Sequence, residues 1–121
     1  MTHFLIVTSN EHKFSEFTNA LTSENTVETS RAASSKEALD AISGAIPDLV
    51  IIDEEVGGTP GLEIARSILM KNAMVNQAVV SRLSSEEFHE VSEGLGILAQ
   101  LSLEPDAAQA KTLLDLLKKM P

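Results

Sequence analysis

The sequence predicts an α/β protein of the (βα)5 kind: a doubly wound, five-stranded parallel sheet with helices on both faces. Three observations point to it. Short apolar, β-branched runs alternate five times with longer segments of helical period. The clearest run, "DLVIID" from Asp48 to Asp53, shows no polar alternation, as burial on both faces demands. The chain of 121 residues has the length of one domain with one real core, and we read residues 1–121 as that domain.

The elements follow in order. "FLIVTS" (Phe4 to Ser9) predicts a buried first strand. In "NEHKFSEFTNALT", Asn10 is placed to cap a helix, and Phe14, Phe17 and Leu21 recur at helical spacing. "TVETSRA" (Thr26 to Ala32) predicts a second strand, more polar than the first. "SSKEALDAISG" opens with a capping box, Ser34 to Glu37, and stops at Gly44. After the third strand, "TPGLEIARSILMKN" places Pro60 near a helix start and Ala65, Ile68 and Leu69 on one face. "NQAVVSRL" predicts the fourth strand, and "SSEEFHEVSEGLG" a helix with a second box, Ser84 to Glu87. "ILAQLSLE" predicts the fifth strand. The last helix, "PDAAQAKTLLDLLKKM", is capped by Asp106, carries a Leu113, Leu114 and Leu117 stripe, and ends on Lys118 and Lys119, which suit its dipole.

Composition narrows the partners. The net charge of −9 argues against DNA or RNA, because phosphate binding needs a basic face. Four Phe, no Trp and no Tyr supply no base-stacking platform. No apolar run is long enough to span a bilayer, and "MTHFLIV" lacks the parts of a secretion signal, so no membrane role and a cytoplasmic location are expected. The absence of Cys removes disulfides and thiolate metal sites, and His3, His12 and His89 show no ligand spacing. Met70, Met74 and Met120 are expected to fill gaps in the core.

Ligands of such sheets bind beyond the carboxyl ends of the strands. The residues there are Thr8, Ser9, Asp53, Ser81, Arg82 and Glu104. With "DLVIIDEEVGGTPGLEI", "SKEALDAI", "VVSRLS" and "LSLEP" in view, the whole chain resembles the receiver domain of two-component response regulators. The resemblance implies the flavodoxin-like receiver fold with strand order 2-1-3-4-5. It places Asp53 on the phospho-acceptor position and Ser81 on the switch hydroxyl. It also implies, as partner, a signalling protein (a histidine kinase or an output protein) or a second copy, docking through the fourth helix, fifth strand and fifth helix. The end of the chain soon after its fifth helix leads us to expect a stand-alone protein or a piece of a longer one.

Three departures from the family pattern involve four positions. The acidic pair that normally holds a divalent cation with the acceptor is here Thr8 and Ser9. The lysine that offsets phosphoryl charge is Glu104, and the small residue after the switch hydroxyl is Arg82. The reading is therefore a pseudo-receiver: no enzyme, no cofactor, and protein–protein interaction in signal transduction without Mg-dependent aspartyl phosphorylation. In it Arg82 pairs with Asp53 or Glu104, replacing metal and lysine by a static cation. Mg²⁺ enters only if Glu54 or Glu55 replaces the missing acidic pair, which would leave Asp53 a working phospho-acceptor in a phosphorelay.

One motif points elsewhere. "TSNEHKFSEF" fits T-x-N-x-x-K-x-x-E-F and is similar to the opening of the inosine-triphosphate pyrophosphatase family. That resemblance implies a nucleotide hydrolase with Thr8, Asn10, Lys13 and Glu16 at a phosphate site. Its alternative is a first helix whose Lys13 and Glu16 lie on the exposed face.

Overall fold

The computed structural model describes residues 2–119. Five long strands form one parallel sheet: β1 (Thr2–Val7), β2 (Val27–Ala32), β3 (Leu49–Ile52), β6 (Gln77–Val80) and β7 (Ile97–Leu101). Between them lie α1 (Ser15–Thr22), α2 (Ser35–Gly44), α3 (Gly61–Lys71), α4 (Ser85–Ser92) and α5 (Ala107–Lys118). The sheet runs β2-β1-β3-β6-β7, which in order of the long strands is the expected 2-1-3-4-5. The first strand is central, with Phe4 opposite Thr29 on one side and Leu49 on the other.

Two-sided burial explains the unbroken apolar runs. Phe4 and Ile6 of β1 enter a cluster with Phe14, Phe17, Leu21, Leu113 and Leu114, so α1 and α5 cover that face. Leu5 and Val7 enter the opposite cluster with Ala38, Ile42, Ile64, Ile68 and Phe88, so α2, α3 and α4 cover the other. Phe14 and Phe17 meet edge to face, with ring centroids 6.1 Å apart. One buried polar residue, Gln77, donates from Nε2 to the Ala65 carbonyl at 3.1 Å.

Several local expectations need correction. Asn10 makes no side-chain cap; the chain first makes a 3-10 turn, Glu11–Phe14, and only then α1. The box at α2 is half formed: Ser34 accepts from the Glu37 N–H, but Glu37 accepts from Ala33. At α4 the box is complete, and Asp106 caps α5 through the Gln109 N–H at 2.9 Å. The fifth strand ends at Leu101, because Ser102 turns its hydroxyl onto Glu104 O and Gln109 and leaves Glu104 in a loop. Met70 and Met74 do not fill gaps: they are 81% and 84% exposed. Met70 lies two residues, about 200° of helix, beyond the buried Ile68, so it must face outward. Met120 lies outside the described residues.

The stretch after β3 is tighter than an open loop. Strands β4 (Glu55–Val56) and β5 (Thr59–Pro60) pair antiparallel around Gly57 and Gly58. Both glycines have positive φ, 58° and 87°, as a two-residue hairpin turn requires. Gly61 then starts α3 against the Asp53 carbonyl, where a Cβ would overlap that oxygen.

Candidate functional site at the carboxyl ends of the strands

The sheet ladder continues one residue past three strands. Thr8 N–H donates to Ala32 O at 2.9 Å, Asp53 N–H to Val7 O at 2.9 Å, and Ser81 N–H to Leu101 O at 3.1 Å. These bonds hold Thr8, Asp53 and Ser81 at the sheet's rim. Asp53 is 5% exposed, so its carboxylate needs partners inside the protein.

It has three. Lys13 Nζ donates to Oδ1 at 2.6 Å, the Glu54 N–H donates to the same oxygen at 2.8 Å, and the Thr8 hydroxyl donates to Oδ2 at 2.8 Å. Thr8 is itself oriented, because its Oγ1 accepts from the Asn10 N–H at 3.0 Å. The residue standing at one of the acidic positions is thus a donor to Asp53, and the charge that balances Asp53 comes from Lys13.

This corrects two expectations. Lys13 is not on an exposed helix face: the 3-10 turn that places Phe14 in the core directs Lys13 over the strand ends, half-buried. Arg82 pairs with neither Asp53 nor Glu104. Its main-chain N–H donates to Glu54 Oε2 at 2.6 Å, its Nε–H to Oε1 at 2.8 Å, and Nη2 lies 2.7 Å from Oε1. The hydrogen bond from Arg82 holds the Glu54 carboxyl below its ordinary range, against partial burial, which acts the other way. The same bond raises the guanidinium of Arg82 further.

Ser9, Asn10, Lys13, Asp53, Glu54, Glu55, Arg82, Leu103 and Glu104 line one shallow depression, so most of the strand-end residues do converge. Ser81 does not line it: its hydroxyl accepts from the Leu83 N–H at 3.2 Å. Gln100, which the sequence did not single out, holds this turn by donating to Ser81 O at 3.2 Å and Leu83 O at 2.7 Å. Of the competing motif, Thr8 and Lys13 direct their polar atoms to Asp53, while Asn10 and Glu16 are exposed.

The donor set does not fit the divalent cation of the receiver fold. Asp53 Oδ1 already contacts an ammonium, both Glu54 oxygens contact Arg82, and Thr8 and Ser9 contribute no charge. Among the described residues, no group of three or more His, Cys, Asp or Glu is arranged to hold a metal ion, and no helix is long and apolar enough to cross a membrane.

The chain matches no protein-family model and no curated protein sequence. Solved structures do match. The chemotaxis response regulator CheY4 of Vibrio cholerae is 18% identical, with a TM-score of 0.83 over 97% of this chain and 98% of that one. The Francisella response regulator 1452 receiver domain is 18% identical, with a TM-score of 0.83 over 98% of both chains. A two-component response regulator from Legionella pneumophila is 18% identical, with a TM-score of 0.82 over 99% of this chain and 100% of that one. Sheet order, helix placement and these likenesses agree: the chain has the CheY-like fold of response-regulator receiver domains.

Proposed function

We propose that this chain is a divergent receiver domain that acts in two-component signalling by binding another protein, with Asp53 kept as a structural carboxylate. The observation that supports this most is the 2.6 Å contact of Lys13 with Asp53 Oδ1. A receiver's acceptor must present a free carboxylate oxygen to an incoming phosphoryl group, beside a divalent cation that offsets the charge. Here the cation is a side chain of the same protein, fixed in contact with the carboxylate. Glu104 adds a negative charge to the depression where the family has a lysine. In this reading the chain is a signalling module rather than an enzyme, and α4, β7 and α5 form the docking face.

The test is intact mass after incubation with acetyl phosphate and Mg²⁺. The expected result is an unmodified chain. A phosphate adduct that disappears in Asp53→Asn would restore the phosphorylation-competent reading, in which the exposed carboxylate of Glu55 joins the metal.

A further inference from the structure

The exposed large apolar side chains are not scattered. Of the five among the described residues, three, Ile46, Met70 and Met74, belong to two neighbouring segments at the amino end of the sheet, opposite Asp53. Ile46 follows α2 and lines a groove with Ile42, Lys71 and Asn72; Met70 and Met74 bracket that end of α3. Arg66 lies one turn before Met70 on the same side of the helix. From Arg66 to Val75, and from Ala41 to Pro47, there is no acid. In a chain of net charge −9 this is a local apolar patch with Arg66 and Lys71 on its α3 side and the exposed Asp40 and Asp48 beyond the ends of its other segment, built on methionines that adapt to a partner surface.

Its complement is on the same molecule. Helix α4 presents Glu86 and Glu90 one turn apart, followed by Glu93, with no Lys or Arg between Ser84 and Gly96. A fourth of the five exposed apolar side chains, Val91, sits among these acids. We propose that the Ile46–Met70–Met74 patch of one copy docks on α4 of a second copy, with Arg66 and Lys71 facing Glu86 and Glu90. The contact joins two different surfaces, so it is head-to-tail and the pair keeps one free patch and one free α4. Two chains of net charge −9 repel at long range, but at physiological salt the screening length is about 8 Å and pairs in contact still act. The contact shares α4 with the docking face proposed above and does not depend on the state of Asp53. Phosphorylation and self-association therefore fail or succeed separately.

Sedimentation equilibrium at physiological salt tests it with two charge-reversed variants, Arg66→Glu/Lys71→Glu and Glu86→Lys/Glu90→Lys, their folding checked by circular dichroism. The unaltered chain gains mean mass with concentration, and each variant alone stays monomeric. Their equimolar mixture regains the growth of mean mass with concentration, because the intact α4 of one variant meets the intact patch of the other and the two reversed surfaces complement each other. Met70→Ser/Met74→Ser also abolishes association. A parent chain that is monomeric at millimolar concentration overturns the proposal. So does a mixture that stays monomeric while the parent associates.

Discussion

Two ion pairs sit one residue apart after β3, and they are opposite in kind. Asp53 is buried, and its three donors come from β1's end, the first turn and its own next residue. Glu54 is bound by Arg82, whose side chain is 73% exposed. The buried pair is costly to break, because either partner alone is a charge left in a poor dielectric. The exposed pair adds little energy, since water competes for both groups. It does position the chain, because the Arg82 main-chain N–H is part of it and ties the turn after β6 to the loop after β3. Neighbouring acids of the same chain thus have different tasks: one holds the strand ends together, the other holds a loop in place.

Breaking the buried pair has the largest expected effect. Lys13→Met leaves Asp53 without its cation and destabilises the fold by about 3 kcal/mol, the lower part of the range for a broken buried pair because Lys13 retains some access to water. Urea unfolding measures it. Adding Asp53→Asn removes the stranded charge, so the double variant recovers most of the loss; a double variant as unstable as the single one would show that Lys13 acts by packing.

Next comes the glycine packed against the main chain of Asp53 and Glu54. Gly61→Ala puts a methyl group on the Asp53 carbonyl oxygen, and the Gly61 N–H donates to Glu54 O at 2.7 Å. The helix start must shift, at about 2 kcal/mol. Because both pairs hang on this segment, the amide resonances of Thr8 and Arg82 should move together in an NMR spectrum. A shift confined to α3 would separate them.

The exposed pair is the smallest case. Glu54→Gln changes the urea midpoint at neutral pH by little more than its error. The sign with pH is definite. Glu54 has a depressed pKa when folded, so its contribution is present above the unfolded carboxylate value and is lost as pH falls through the folded one. The difference between parent and Glu54→Gln should therefore shrink on acidification below the ordinary carboxylate range. A difference that grew would mean that Glu54 is not held by Arg82.

Much of the fold was legible in the residues because it rests on periodicity. The continuous run Leu49–Ile52 is buried on both faces, and the stripe of Phe14, Phe17 and Leu21 meets the first strand as its spacing predicts. Ser84–Glu87 and Asp106 act as caps because capping is a contact over three or four residues. The site was legible as a set of strand-end positions, which topology alone dictates. Its pairing was not. Arg82 was the obvious cation for Asp53, and Lys13 stood in plain view in a motif that suggested nucleotide phosphate. Choosing between them depended on whether the chain enters α1 by a 3-10 turn, a difference of phase that a run of helical spacing does not report.

By itself the sequence determined which segments are strands and helices, that the sheet is parallel and covered twice, and that Asp53, Thr8 and Ser81 meet at one edge. Those follow from patterns a few residues long, repeated five times. Only the tertiary structure decided that Lys13 neutralises Asp53 and that Arg82 belongs to Glu54. It also decided that Met70 and Met74 face water. Each of these is set by the direction of a side chain across elements far apart in the chain. Within any one segment, the alternatives were equally good.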